Sequence, residues 1–169
     1  MLFRSLETLA LEGAGARLQA CARVSKACPR VRFTLLEGQT PLVQAEADAA
    51  GGLATAALCL ERCRPWSAED PYLYTLRAEA LDGQGRCLDE ERVQAGVRTV
   101  TANAEQGLLV NGKAVKLKGG CVHHDNGLLG AASHRGSEYR KARLLKQNGF
   151  NAVRCAHNPP SASFLNACD

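Results

Sequence analysis

Two short runs concentrate the side chains able to do chemistry: His123-His124-Asp125-Asn126, and Arg154 followed by His157-Asn158-Pro159-Pro160. A histidine ring can donate, accept or ligate, an arginine is a permanent cation, and an aspartate is an acceptor-only carboxylate. Brought together, His123, His124, Asp125, Arg154, His157 and Asn158 could recognise hydroxyl groups, bind an anion or hold a metal. Acids are scarce in this part of the chain. From Thr101 onward only Glu105, Asp125, Glu138 and Asp169 carry carboxylates.

The surrounding pattern predicts how the two runs meet. Val115 to Gly120 leads into the first run, and Ser137 to Asn148 reads as a helix. Ala142, Leu144 and Leu145 make its expected apolar face, with Arg140, Lys141, Arg143 and Lys146 as basic flanks. Ser137 is the expected N-cap and Gly149 the C-terminal cap, while Glu138 falls too early to complete a capping box. Phe150 to Cys155 reads as a second strand, and Ser161 to Cys168 as a helix positioned by the rigid Pro159-Pro160 loop. Strand, loop, helix, strand, loop, helix is the grammar of a parallel β/α unit.

In β/α folds, ligands collect where the strands run into the following loops. Adjacent strands lie ~4.8 Å apart, so both polar runs are expected on one rim. A lone histidine at a strand end is more often a capped structural residue; two clusters at equivalent strand ends point to a site. Two parallel strands with two helices cannot cover both faces of their sheet. Residues 101–169 are therefore expected to open a larger β/α domain, truncated at Asp169.

Residues 1–100 read as strands and turns. Arg17 to Val24 alternates polar and apolar, as a half-buried strand does. Val31–Leu36, Pro41–Asp48, Leu53–Leu60, Tyr72–Ala80 and Cys87–Val100 follow, separated by turns at Gly38, Gly51-Gly52 and Asp82-Gly83-Gln84-Gly85. About seven short strands at this spacing suggest an immunoglobulin-like β-sandwich. Trp66, Tyr72 and Tyr74 are expected to pack in it, with an aromatic sugar platform as the other reading. Leu108 to Val115 forms a hairpin around Asn111-Gly112, since Asn-Gly supplies the positive φ angles of a type I′ turn.

Composition excludes several classes. No apolar run approaches the ~18 residues of a membrane span, and the start Met1-Leu2-Phe3-Arg4-Ser5-Leu6-Glu7 offers no leader-like apolar stretch. Eight cysteines include no Cys-x-x-Cys pair. They are expected to be reduced and to act as small apolar residues, in keeping with a cytoplasmic protein. Net charge is uneven: residues 1–98 hold 12 Lys/Arg against 13 Asp/Glu, and residues 99–169 hold 9 against 4. The basic helix lacks interleaved aromatics, so it reads as a solvated face and not as a nucleic-acid patch.

The motifs from about residue 60 onward resemble glycoside hydrolase family 2. Trp66, Pro71-Tyr72-Leu73-Tyr74-Thr75-Leu76 and Gly96-Val97-Arg98-Thr99-Val100 look like the end of that family's immunoglobulin-like domain. Leu109-Val110-Asn111-Gly112-Lys113 and Lys118-Gly119-Gly120-Cys121-Val122-His123-His124-Asp125 resemble the opening of its TIM barrel. Leu144 to Pro160 is similar to its second barrel strand, and the His-Asn-Pro-Pro-Ser run is most like β-galactosidase-type members. The resemblance implies that His123 lines the subsite for the sugar beside the cleaved bond, with His157 and Asn158 on its rim. Asp125 is a weaker carry-over to that rim. Arg154 would lie beneath the nucleophilic carboxylate and keep it ionised. Cys121 stands where many members have asparagine.

The implied function is a retaining β-glycosidase acting on terminal β-linked sugars such as β-galactosides, with no cofactor, and a homo-oligomer when intact. Retention needs two carboxylates about 5–5.5 Å apart. Family members carry both as glutamates on later barrel strands, so residues 1–169 alone are expected to be inactive. Two rivals remain: a non-catalytic sandwich binding module, and a metal-dependent hydrolase using His123, His124 and His157.

Overall fold

The computed structural model describes residues 3–25 and 28–169. Met1 and Leu2, where the no-leader expectation begins, lie outside them. The chain divides into two compact units, one ending at Ala114 and one running from Val115 to Asp169.

The first unit is a sandwich of two antiparallel sheets. One has the order β1 (Phe3–Glu12), β2 (Gly15–Arg23), β5 (Leu53–Leu60); the other runs β4 (Thr40–Asp48), β3 (Arg30–Glu37), β6 (Tyr74–Leu81), β7 (Cys87–Ala95). Period-2 alternation builds the core. Ala16, Leu18, Ala20 and Ala22 of β2 and Ala54, Ala56, Leu58 and Leu60 of β5 are buried. From the other sheet Val31, Phe33, Leu35, Tyr74, Leu76, Ala78 and Ala80 join the same cluster. Each buried Val, Leu or Phe contributes about 1.5–3 kcal/mol relative to exposure. Small alanines alternating with large residues let the facing sheets interdigitate.

A short three-stranded sheet, β8 (Val100–Asn103), β9 (Gly107–Val110) and β10 (Lys113–Ala114), completes this unit. Its turn has φ 52° at Asn111 and 72° at Gly112, the positive pair expected of Asn-Gly. The Asn111 side chain does more than turn the chain. Its Oδ1 accepts from the Thr99 amide at 3.0 Å and its Nδ2 donates to the Trp66 carbonyl at 2.9 Å. Trp66 in turn donates its amide to Val97 O and lies under the Arg98 guanidinium, 4.1 Å from the ring centroid. The aromatics are thus packing residues. Tyr74 is buried, with its hydroxyl accepting from the Arg64 amide at 2.8 Å, and it meets Tyr72 edge-on at 5.1 Å.

The second unit pairs β11 (Gly119–Val122) with β12 (Ala152–Cys155) in parallel, Gly119 opposite Ala152 and Cys121 opposite Arg154. Helix α1 (Arg135–Gln147) joins them and α2 (Ala162–Cys168) follows. Asn151 fixes the register. Its Oδ1 accepts from the Lys118 amide, its Nδ2 donates to Lys116 O, and its own amide donates to Lys118 O. Glycine at 119 is required by proximity, because a Cβ there would meet the Ala152 carbonyl oxygen.

Several expectations are corrected. Strand β1 was not expected; its bulge between Thr8 and Ala10 breaks the period-2 pattern. Helix α1 begins two residues before Ser137, at Arg135, with His134 in the cap position and no side-chain capping bond. Ser137 instead donates its hydroxyl to His134 O. Leu144 is exposed, so the inward stripe of α1 is Glu138, Lys141, Ala142 and Leu145. All eight cysteines are free, yet only Cys28 is buried, bonding to Arg30 O and Leu81 O; Cys59, Cys87, Cys121 and Cys168 are exposed.

Candidate functional site

The parallel pairing of β11 and β12 brings the two polar runs together. Side chains of paired residues on parallel strands share a face, so Cys121 and Arg154 stand side by side while Val122 and Cys155 turn the other way. The Arg154 Nη1 lies 3.8 Å from the Cys121 sulfur. Among the described residues, that guanidinium meets no carboxylate. The ladder continues through the Ala156 amide to Val122 O at 3.0 Å. The Ala156–His157 peptide is cis. One step further, His123 and His157 meet edge to face, ring centroids 5.8 Å apart and planes at 81°.

The remaining residues divide between two recesses. Val122, His123, His124 and Asn158 share with Glu138, Lys141, Cys155 and Phe164 a recess of about 10 Å³, room for about one water molecule. Asp125 lines a separate, open groove of about 560 Å³ with Ser137, Arg140, Leu144 and Phe150. His123, Asn158 and, through its ring, His157 therefore converge, while Asp125 lines the neighbouring groove along α1 with Lys141 and Leu145. Among the described residues no three His, Cys, Asp or Glu side chains form a metal-holding group, and the trio His123, His124 and His157 makes none.

The loop that carries His123 to Ser133 is held from below by a residue the sequence reading treated only as a helix-opening acid. Glu138 is 3% exposed. Its Oε1 accepts from Asn126 Nδ2 and from Ser133 Oγ, each at 3.1 Å. Its Oε2 pairs with Lys141 Nζ at 3.4 Å, and that ammonium also donates to the Asp125 carbonyl at 2.9 Å. Burial alone would raise the Glu138 pKa, but the hydrogen bonds from Asn126 and Ser133 and the Lys141 charge outweigh it and hold the carboxyl below its ordinary value. The sequence carries the spacing but not the partners. Glu138, Lys141, Ala142 and Leu145 sit at i, i+3, i+4 and i+7, so one inward stripe carries two charges.

Chemically, the rim offers imidazole and amide groups for hydroxyl hydrogen bonds and an exposed guanidinium for a carboxylate. Among the described residues of this unit no two carboxylates face each other across the rim: Asp125 lines the neighbouring groove, Glu138 is sealed, and Asp169 is terminal.

Known proteins resemble this chain in sequence and fold. Residues 23–98 match the model of "Glycosyl hydrolases family 2" and residues 100–169 that of "Glycosyl hydrolases family 2, TIM barrel domain". A β-galactosidase of Bacteroides ovatus is 37% identical over 115 residues, 68% of this chain and 13% of that protein. A β-galactosidase of Alteromonas mediterranea is 40% identical over 62% of this chain and 10% of its own length. Among solved structures, a glycosyl hydrolase family 2 member from Bacteroides cellulosilyticus superposes with TM-score 0.89 at 34% identity, covering 98% of this chain and 24% of that one. A β-glucuronidase of Ruminococcus gnavus in complex with D-glucuronic acid gives TM-score 0.83 at 28% identity, covering 96% and 27%. The chain thus spans between about a tenth and a quarter of the length of these relatives.

Proposed function

This chain belongs to glycosyl hydrolase family 2, and from that premise we infer that the protein it helps to build is a retaining β-glycosidase acting on terminal β-galactosides. The observation that carries this reading is the exposed Arg154 beside the His123–His157 ring pair, at the C-terminal ends of two parallel barrel-type strands. Ligand groups gather at that end of such strands. His123, His157 and Asn158 would donate to or accept from sugar hydroxyls. Arg154, with no carboxylate partner among the described residues, would keep a nucleophilic carboxylate ionised through its charge. Asp125, in the neighbouring groove, would have at most a peripheral part.

Retaining hydrolysis needs a nucleophile and an acid/base, two carboxylates about 5–5.5 Å apart. No two acids of residues 115–169 share the rim, so the chain by itself is proposed to bind without turning over. The β-galactosidase names of the Bacteroides ovatus and Alteromonas mediterranea relatives favour a galactoside, and the Ruminococcus gnavus glucuronidase supplies the competing sugar. The test uses chromogenic β-galactoside and β-glucuronide with the chain alone and with the protein encoded when the reading frame is continued downstream. Expected is no turnover by the chain and faster galactoside hydrolysis by the longer protein. Enzyme-like rates from the chain alone would overturn its proposed inactivity; a faster glucuronide rate would overturn the sugar.

A further inference from the structure

We propose that Glu138 is the positioning residue of this rim: its buried carboxylate closes the loop from Asp125 to Ser133 from beneath, and so sets where His123 meets His157. Only the functional consequence of this inference rests on the glycosidase reading; the geometry stands without it.

The loop has no apolar anchor: Gly127 to Ser133 are exposed, including Leu128 and Leu129. Its internal backbone bonds run from the Asn126 amide to Gly130 O at 2.8 Å, the Gly130 amide to Gly127 O at 3.0 Å, and the Leu129 and Ala132 amides to Asn126 O and Leu129 O, each at 3.2 Å. They join the loop to itself, and Glu138 joins its two ends to helix α1. Asn126 at the start and Ser133 at the finish donate to the same oxygen, and Asn126 Nδ2 also donates to Ala132 O at 2.7 Å. Through Lys141 the other oxygen reaches the Asp125 carbonyl.

An ordinary first-turn glutamate interacts with the helix N-terminus while exposed to water. It needs neither burial nor three side-chain partners. A carboxylate at an inward helical position is costly unless every lone pair is used, and here the partners all belong to the loop or to the lysine that reaches it. The groups facing it from other elements are His123, His124, Cys155, Asn158 and Phe164, which share its recess, and Cys168 of α2, whose thiol is pushed up by burial and also by the Glu138 charge. The clamp therefore shares a recess with the histidines.

The experiment is nuclear magnetic resonance on this full chain with Glu138→Gln and Ser133→Ala. Glu138→Gln keeps the shape, removes the charge facing Lys141 and replaces one acceptor by a donor. It is expected to shift the amides of Asp125, Asn126 and Ser133 and to abolish the His123–His157 ring cross-peak, leaving sandwich strands β2 and β5 unmoved. In the unsubstituted chain the His123 ring signals should also follow the Glu138 carboxyl titration, and that inflection should vanish in Glu138→Gln. A helix-stabilising role alone would move neither ring observable. If Glu138→Gln unfolds the unit, Ser133→Ala decides, since it cuts one bond on the loop side and leaves the carboxylate. Loop and ring shifts in Ser133→Ala support the clamp. Unchanged ring contact in whichever variant folds would overturn it, as would an inflection that persists in Glu138→Gln. No substrate enters these measurements, so a failed hydrolysis assay and a failed clamp are separate results.

Discussion

The sandwich and the β/α unit are ordered by different forces. In the sandwich, Leu18, Val31, Phe33, Leu35, Leu58 and Leu76 have no exposed surface at all. In the β/α unit, the buried apolar residues among those described are Ala156 and Phe164, and a third buried side chain is the charged Glu138. Apolar burial scales with area and has no direction, so it makes a robust body without specifying angles. Hydrogen bonds to a buried carboxylate are directional and fail abruptly when one partner is lost. The His123–His157 ring pair and the Arg154 guanidinium lie in the unit that relies on the second kind of order.

The contrast can be broken most forcefully in the sandwich. Phe33→Ala removes a fully buried ring between the sheets, and such truncations cost about 3–5 kcal/mol. The urea midpoint read by the fluorescence of Trp66, the chain's single tryptophan, should fall accordingly. A change below about 1 kcal/mol would mean that the core tolerates the cavity and that the contrast is overstated. A smaller effect belongs to the β/α unit. The Ser161 hydroxyl accepts from the Phe164 amide at 3.1 Å and caps α2. Ser161→Ala should cost about 1 kcal/mol, seen as faster amide exchange in residues 162–168 with the sandwich strands unaffected.

The smallest and most graded effect is acid. The Glu138 carboxyl is held below its ordinary value of 4.5, so its stabilisation is fully present above that pH and is lost as pH falls through the folded-state value. Amide exchange at Asn126 and Ser133, corrected for intrinsic rates, should accelerate below about pH 4.5 while strands β2 and β5 stay protected. Loop exchange that ignores this range would argue that the loop is held by something other than the carboxylate.

How far the sequence was legible follows the same division. Strand β2 could be read because its alternation is uninterrupted, β5 because Gly51-Gly52 sets off its short apolar run, and the Asn111-Gly112 turn because its residues leave few conformational options. The parallel β/α order and the meeting of His123 with His157 followed from strand ends that fall in register. Strand β1 was hidden by its bulge. The site's support was hidden for another reason: Glu138 looks like a generic first-turn acid unless its burial partners, which come from a loop with no periodicity, are already known. The two recesses that separate Asp125 from His123 depend on which side of α1 the loop falls, and no residue type encodes that locally. The exposed cysteines show the limit of neighbour-based reading, since apolar neighbours in a strand place a residue near the core but not on its inner face.

One feature of the sandwich bears on where such a chain can be divided. The family matches change over at Thr99, which would suggest a seam there. Asn111 spans that seam, holding the Thr99 amide at it and the Trp66 carbonyl beyond it. A protease nick or gene fusion placed at Thr99 would sever the strap from the tryptophan it buckles, whereas one placed after Ala114 would leave the buckle closed. The border written by ancestry and the border written by mechanics are different places in this molecule.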